Sequence, residues 1–141
     1  MITGIDIYVA VAAFDEYAGG GLVSHATVDS GVGYSHMAGF ALGVMSLDNA
    51  VLSVATLALA SILPAAYEVR VTIHCHHTML RRAMITQDLP SSMVLEKLQE
   101  WARKFKALWL SAEGEDARFE EASGLAQDAA VKQRNYDSVT G

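Results

Sequence analysis

Basic residues are missing from the first half of the chain: no lysine or arginine precedes Arg70. That half holds six of the 16 acids, whereas all ten basic residues follow, and the formal net charge is −6. Because an acidic surface repels phosphate backbones, any nucleic-acid contact has to use the second half. The candidates in its local basic clusters are Arg81, Arg82, Arg103, Lys104 and Lys106. Such clusters are also typical of solvated helix faces.

Cysteine and long hydrophobic runs are scarce. Cys75 is the one cysteine, which excludes an internal disulfide and favours a reducing, cytoplasmic compartment. The N-terminal stretch has no basic leader, so no secretion signal is expected. The most apolar stretch, residues 51–66, contains Pro64 and is too short to span a bilayer comfortably. We therefore expect a buried helix there and no membrane association.

Apolar residues are plentiful, at 52% of 141 residues, and can form a sizeable core. A single domain is predicted over residues 1–135, with a loose tail at 136–141.

Three strands are predicted in the first third, at residues 6–14, 21–28 and 33–45, from their β-branched and aromatic residues. Their short joints predict an antiparallel meander. The glycine run at 19–21 indicates a bend or a close approach of another element. No lysine follows it, which disfavours a phosphate-binding loop.

The rest of the chain alternates helices and strands. A helix at 46–63 is predicted to be capped by Ser46 or Asp48 and ended by Pro64. Asp116 is the expected cap of the last helix. Mixed crossovers of this kind predict an α/β fold with a five-stranded mixed sheet and helices on both faces. The further elements are predicted at 67–75 (strand), 78–85 and 92–108 (helices), 107–113 (strand) and 116–134 (helix).

This order resembles the ribonuclease H fold, most closely that of ribonuclease HI. The segments that carry the resemblance are "DIYVAVA", "GGGLV", "NAVLSVATLALASI", "EVRVTIHCHH" and "SGLAQDAA", in the family's order and at matching intervals. The resemblance implies a nuclease that hydrolyses RNA in hybrids with DNA, using acids that hold two divalent metals.

The four acids of the family fall on positions without a carboxylate: Ala10, Leu52, His74 and Ser123. The residues immediately before and after each position carry none either. Since Mg²⁺ needs oxygen ligands, the resemblance implies an inactive domain without a cofactor. Such a domain would serve as an interaction module for a protein partner, for a second copy of itself or, weakly, for nucleic acid.

An alternative is a metal-dependent nuclease with relocated ligands that hold Mg²⁺ or Mn²⁺. The residues available for such a site are Asp15, Asp48, His74 and Glu120. The plainer interpretation is that Asp48 caps its helix and Glu120 is solvated.

The stretch "HCHH" at 74–77 suggests a zinc site, but strand alternation argues against it. His74 and His76 should point to one face, and Cys75 and His77 to the other. A tetrahedral site would then need ligands from other strands, such as His25 or His36. We therefore expect no zinc here.

Overall fold

The computed structural model describes residues 2–29, 31–86 and 92–140. A short 3₁₀ turn at Pro64–Ala66 precedes the fourth strand, and a single π-helical turn at Arg82–Thr86 extends the second helix. The strands are β1 (Ile2–Phe14), β2 (Tyr17–Val28), β3 (Gly31–Val44), β4 (Arg70–His74), β5 (Ala107–Ser111) and β6 (Tyr136–Thr140). The helices are α1 (Leu47–Ala60), α2 (Thr78–Arg81), α3 (Met93–Ala102) and α4 (Asp116–Lys132).

The strands form one mixed sheet in the order β5-β4-β1-β2-β3-β6. The first three make the predicted antiparallel meander, whose first turn contains Asp15 at a φ of 53°. β4 and β5 lie parallel to β1 and each follows a helical connection. The prediction of a mixed α/β sheet is confirmed, with six strands rather than five.

The two faces of the sheet pack against different helices. Ile5, Ile7 and Val9 of β1 belong to the large core cluster that contains most of the buried residues of α1. Tyr8 points the other way and packs with Phe119 of α4. Helices therefore cover both faces, as predicted.

Helix α1 is buried on several sides, as its continuous apolar sequence predicts. Its cap is Ser46, whose hydroxyl accepts a hydrogen bond from the Asn49 N–H at 3.2 Å. Asp48 lies in the first turn and does not cap. Leu52 is 3% exposed within the core, so its predicted burial is confirmed.

The glycine run is a site of close approach rather than a bend. A Cβ on Gly21 would lie 1.8 Å from the Ala122 carbonyl oxygen, and one on Gly19 would lie 2.1 Å from the Ala126 carbonyl oxygen. Helix α4 therefore packs directly on the backbone of β2, at a distance that no side chain permits.

Several predicted boundaries were wrong. Residues 136–140, expected to be loose, form β6 and pair with β3. The residue that precedes the first turn of α4 is Glu115 rather than Asp116, and its side chain makes no capping bond. The helix predicted at 92–108 ends at Ala102. Beyond it, the Lys106 N–H donates a hydrogen bond to the Tyr67 carbonyl. Among the described residues, no helix has the length and apolar character needed to cross a membrane.

Candidate functional site

A cleft of about 280 Å³ opens beside α4, between the second half of β1 and the residues that directly follow β4. It brings together two of the four positions matched to the family's acids, Ala10 and Ser123. Leu52 and His74 do not line it. The described residues that line it are Val9, Ala10, Val11, Cys75, His76, His77, Phe119 and Ser123.

The register of β1 and β4 explains why His74 is not in the cleft. Tyr8 pairs with His74, so Ala10 lies level with the position two residues later, His76. The residue of the β4 segment that faces the cleft is therefore His76. His74 lies one side-chain repeat before His76, on the same face of the sheet but outside the cleft.

His74 lies instead in a closed hydrogen-bond arrangement. Its Nε2 is 2.9 Å from Asp6 Oδ1, and its Nδ1 is 2.7 Å from the Glu113 carbonyl oxygen. The ring stacks on Tyr8, with centroids 4.3 Å apart. Both ring nitrogens face acceptors, so a ring protonated on both can donate to both.

The loop between β5 and α4 holds this arrangement in place. The Glu115 N–H donates to the Tyr8 hydroxyl at 3.1 Å, and the Ser111 hydroxyl donates to the Glu113 carbonyl at 2.9 Å. A Cβ on Gly114 would lie 2.6 Å from the Tyr8 ring and 3.0 Å from His74 Nδ1. Only glycine allows the loop to pass this close to the two rings.

The alternation predicted for residues 74–76 is confirmed. His76 stacks on Phe119 on the α4 face, with ring centroids 3.7 Å apart. Cys75 points into the core on the opposite face, where burial raises the pKa of its thiol. His77 lies beyond the end of β4, and its Nε2 is near Asp48 of α1.

His77 has a local structural role. Its Nδ1 accepts the Met79 N–H at 3.2 Å and so caps α2. The proton of a neutral ring is then on Nε2, which lies 3.5 Å from Asp48 Oδ1. Asp48 therefore faces His77, which itself lines the cleft.

The relocated ligand set is not assembled. Asp15 is in the β1–β2 turn, His74 is bonded to Asp6, and Asp48 faces His77. Glu120 lines a shallow depression next to the cleft together with His76 and Asp116. In the described part of the chain, no three His, Cys, Asp or Glu side chains form a group that could hold a metal ion.

The two histidines proposed as distant zinc ligands have other neighbours. His25 Nδ1 is 2.9 Å from the Ser35 hydroxyl. Its Nε2 has no hydrogen-bond partner among the residues that the structure describes. Burial, followed by the charge of Arg118, lowers the pKa of the ring. His36 contacts Asp137 of β6. The absence of zinc stays a prediction.

Three residues of this region escaped the sequence reasoning: Asp6, Tyr8 and Gly114. The one available signal was Asp6, a charged residue that alternates with Ile5 and Ile7 in a buried strand. The contacts of the other two depend on the β5–α4 loop, which closes over β1 from more than 100 residues away in the sequence.

The basic residues predicted as candidates for nucleic-acid contact lie in separate parts of the structure. Arg103, Lys104 and Lys106 line one groove at the far end of the sheet, and Arg81 lines a small pocket beside the cleft. Arg82 belongs to the π-helical turn.

No family model matches the sequence, and no curated protein does. Solved structures of ribonucleases H do match the fold. Ribonuclease H1 from the halophilic archaeon Halobacterium salinarum is 14% identical, with a TM-score of 0.63 over 93% of this chain and 99% of that one. LC9-RNase H1, a type 1 enzyme with the type 2 active-site motif, is 16% identical, with a TM-score of 0.72 over 98% and 79% of the chains.

The N-terminal ribonuclease H domain of rv2228c from Mycobacterium tuberculosis is 18% identical, with a TM-score of 0.69 over 92% of this chain and 95% of that one. At these identities the matches establish the fold alone. The protein has a ribonuclease H-like fold, as the resemblance implies.

Proposed function

We propose that this protein is a catalytically inactive ribonuclease H-like domain that acts as a protein-interaction module. The lining of the cleft carries this proposal. Where the resemblance implies metal-holding acids, the cleft presents Ala10, His76, Phe119 and Ser123. Two-metal phosphodiester hydrolysis needs hard oxygen ligands close together, and these side chains supply one hydroxyl.

Leu52 supports the same conclusion. It is buried with Val51 and Ala55 in the core of α1, so its position is used for packing. A carboxylate there would have to be buried without a partner.

The end of the sheet next to the cleft has the character of a protein-binding surface. Phe14, Tyr17 and Val44 lie in one row across the ends of β1, β2 and β3. Phe14 is 47% exposed and Val44 is 63% exposed. The turn between Phe14 and Tyr17 holds two acids, Asp15 and Glu16. Exposed apolar groups beside acids fit a partner segment that is apolar and basic, and they disfavour a phosphate backbone.

Cleavage of a labelled RNA–DNA hybrid with Mg²⁺ or Mn²⁺ tests the loss of activity. We expect no cleavage above a no-protein control. An EDTA-sensitive activity that co-purifies with the protein and disappears in Asp48→Ala would overturn the proposal. It would favour the alternative, a metal-dependent nuclease with relocated ligands, for which the closeness of Asp48 and His77 at the cleft is the supporting observation.

Paired variants test whether the row formed by Phe14, Tyr17 and Val44 is a docking surface. Phe14→Asp with Val44→Asp should abolish the capture of specific partners, or self-association measured by light scattering. Leu63→Asp adds a charge at another exposed apolar position and should leave binding unchanged. Equal binding by all three proteins would show that this row is not the docking surface.

A further inference from the structure

A second concave surface lies at the opposite end of the sheet from the cleft, where β4 begins. It is an open groove of about 670 Å³ between the 3₁₀ turn and the connection from α3 to β5. Its lining is Pro64, Ala65, Tyr67, Glu68, Arg103, Lys104, Phe105 and Lys106.

The two walls of this groove are held together by specific contacts. The Lys106 N–H donates to the Tyr67 carbonyl at 2.9 Å. The rings of Tyr67 and Phe105 meet edge to face, with centroids 4.8 Å apart, and Phe105 is buried in the core. The groove is therefore formed before any ligand binds, which lowers the cost of binding.

The charge of the groove is opposite to that of the molecule. Arg103, Lys104 and Lys106 are exposed in its lining, and Glu68 is the one acid there. Within the described residues, none of the three cations forms an ion pair, whereas Arg118 and Lys132 both pair with carboxylates of α4. Three cations that form no ion pair with any described residue therefore line one concave surface of a protein with net charge −6.

The dipole of α3 explains only part of this clustering of cations. Cations near a helix C-terminus interact favourably with its dipole, which applies to Arg103 and Lys104 just after α3. Lys106 lies beyond that turn and is fixed to the other wall through Tyr67. The dipole gives no reason for a third cation there.

We propose that this groove binds single-stranded nucleic acid, with the three cations on the phosphates and an aromatic ring available to a base. Tyr67 lines the groove and is partly exposed, and the Lys104 ammonium, which also lines it, lies 5.3 Å from the centre of the Trp101 ring of α3. Cations interleaved with aromatic rings are typical of surfaces that bind single strands without sequence preference. The groove is independent of the cleft, so this proposal holds whether or not the cleft is catalytic.

The experiment is fluorescence anisotropy with a labelled 15-nucleotide oligo(dT), at salt concentrations from 50 to 200 mM. Three phosphate contacts on a single strand correspond to a slope of about −2 in log K against log salt, or roughly a twentyfold loss over that range. Arg103→Glu with Lys106→Glu should abolish binding. Lys97→Glu with Arg134→Glu makes the same change in net charge at exposed sites outside the groove, and should retain most of it.

Three results would overturn the proposal. One is wild-type protein that does not bind the oligonucleotide at 50 mM salt. Another is an equal loss of affinity in both double variants, which would reflect net charge alone. The third is a groove that binds a polyglutamate peptide but no oligonucleotide, which would identify an acidic protein segment as its occupant.

Discussion

His74 Nε2 lies 2.9 Å from Asp6 Oδ1, and this contact joins β4 to β1 on the face that α4 covers. Asp6→Ala, His74→Phe and the double variant form a thermodynamic cycle, in which phenylalanine keeps the ring on Tyr8. We expect a coupling free energy of about 1 kcal/mol, discounted for the partial exposure of Asp6. The same cycle on Asp128 and Lys132, an exposed pair within one helix, should give less than about 0.5 kcal/mol. Equal couplings in chemical denaturation would mean that the Asp6–His74 contact is no better than a surface pair.

Leu52→Glu should destabilise the protein by at least about 3 kcal/mol, because it removes a packed side chain and buries a carboxyl group without a partner. Leu57→Glu is the matched control on the same helix, since Leu57 is exposed, and should change stability by about 0.5 kcal/mol or less. Urea denaturation without metal measures both. A Leu52→Glu protein as stable as wild type would indicate that this position opens to solvent.

Gly21→Ala should displace α4, because the new Cβ would meet the Ala122 carbonyl oxygen at 1.8 Å. Gly124→Ala is a contrasting substitution within α4 itself, where nothing lies within 4 Å of the added Cβ. Since alanine favours helix, Gly124→Ala should raise stability by about 0.5–1 kcal/mol. Thermal unfolding of both variants checks these opposite signs. If Gly21→Ala melts at the wild-type temperature, the contact between α4 and β2 is looser than described.

His25 should make the protein less stable in mild acid. Its folded pKa is lowered from 6.5 by burial and by Arg118, so the unfolded chain takes up the proton first as the pH falls. Its contribution is therefore lost as the pH decreases from 6.5 towards the folded pKa. The loss of stability between pH 7.5 and pH 5.5 should be larger in wild type than in His25→Gln. An equal loss in the two proteins would assign the acid sensitivity to other groups.

Protein purified without an affinity tag should contain no stoichiometric zinc, because His74 and His76 stack on rings on the α4 face, Cys75 belongs to the core on the other face, and His77 caps α2. Elemental analysis decides this. Near one zinc per chain, lost when His76 and His77 are both replaced by alanine, would contradict these separate placements of the side chains.

The meander was predictable because its short turns and strand periodicity are local, and the hydrogen-bonding groups at the start of α1 limited its cap to Ser46 or Asp48. Strand alternation likewise placed Cys75 and His76 on opposite faces. These features need only the periodicity of the strand and the hydrogen-bonding groups within a turn.

The neighbours of His74 were not predictable, because they depend on the register between strands far apart in the sequence. If the pairing register of β1 and β4 shifted by two residues, every apolar side chain would stay on the same face of the sheet. The hydrophobic pattern of the sequence therefore cannot distinguish the two registers. The register nevertheless decides whether His74 or His76 faces the cleft. β6 was missed for a related reason, since a short polar strand is stabilised by its partner rather than by its own composition.

The pairing of β6 with β3 has a consequence for solubility. β3 has 14 residues, and β6 occupies the outer hydrogen-bonding groups of its segment Ser35–Gly39. A truncation before Tyr136 would leave that row of amide and carbonyl groups free to template strand addition by another molecule. β6 itself is a poor template for strand addition, because it is only five residues long and carries the charge of Asp137. β6 therefore protects this edge of the sheet from edge-to-edge aggregation.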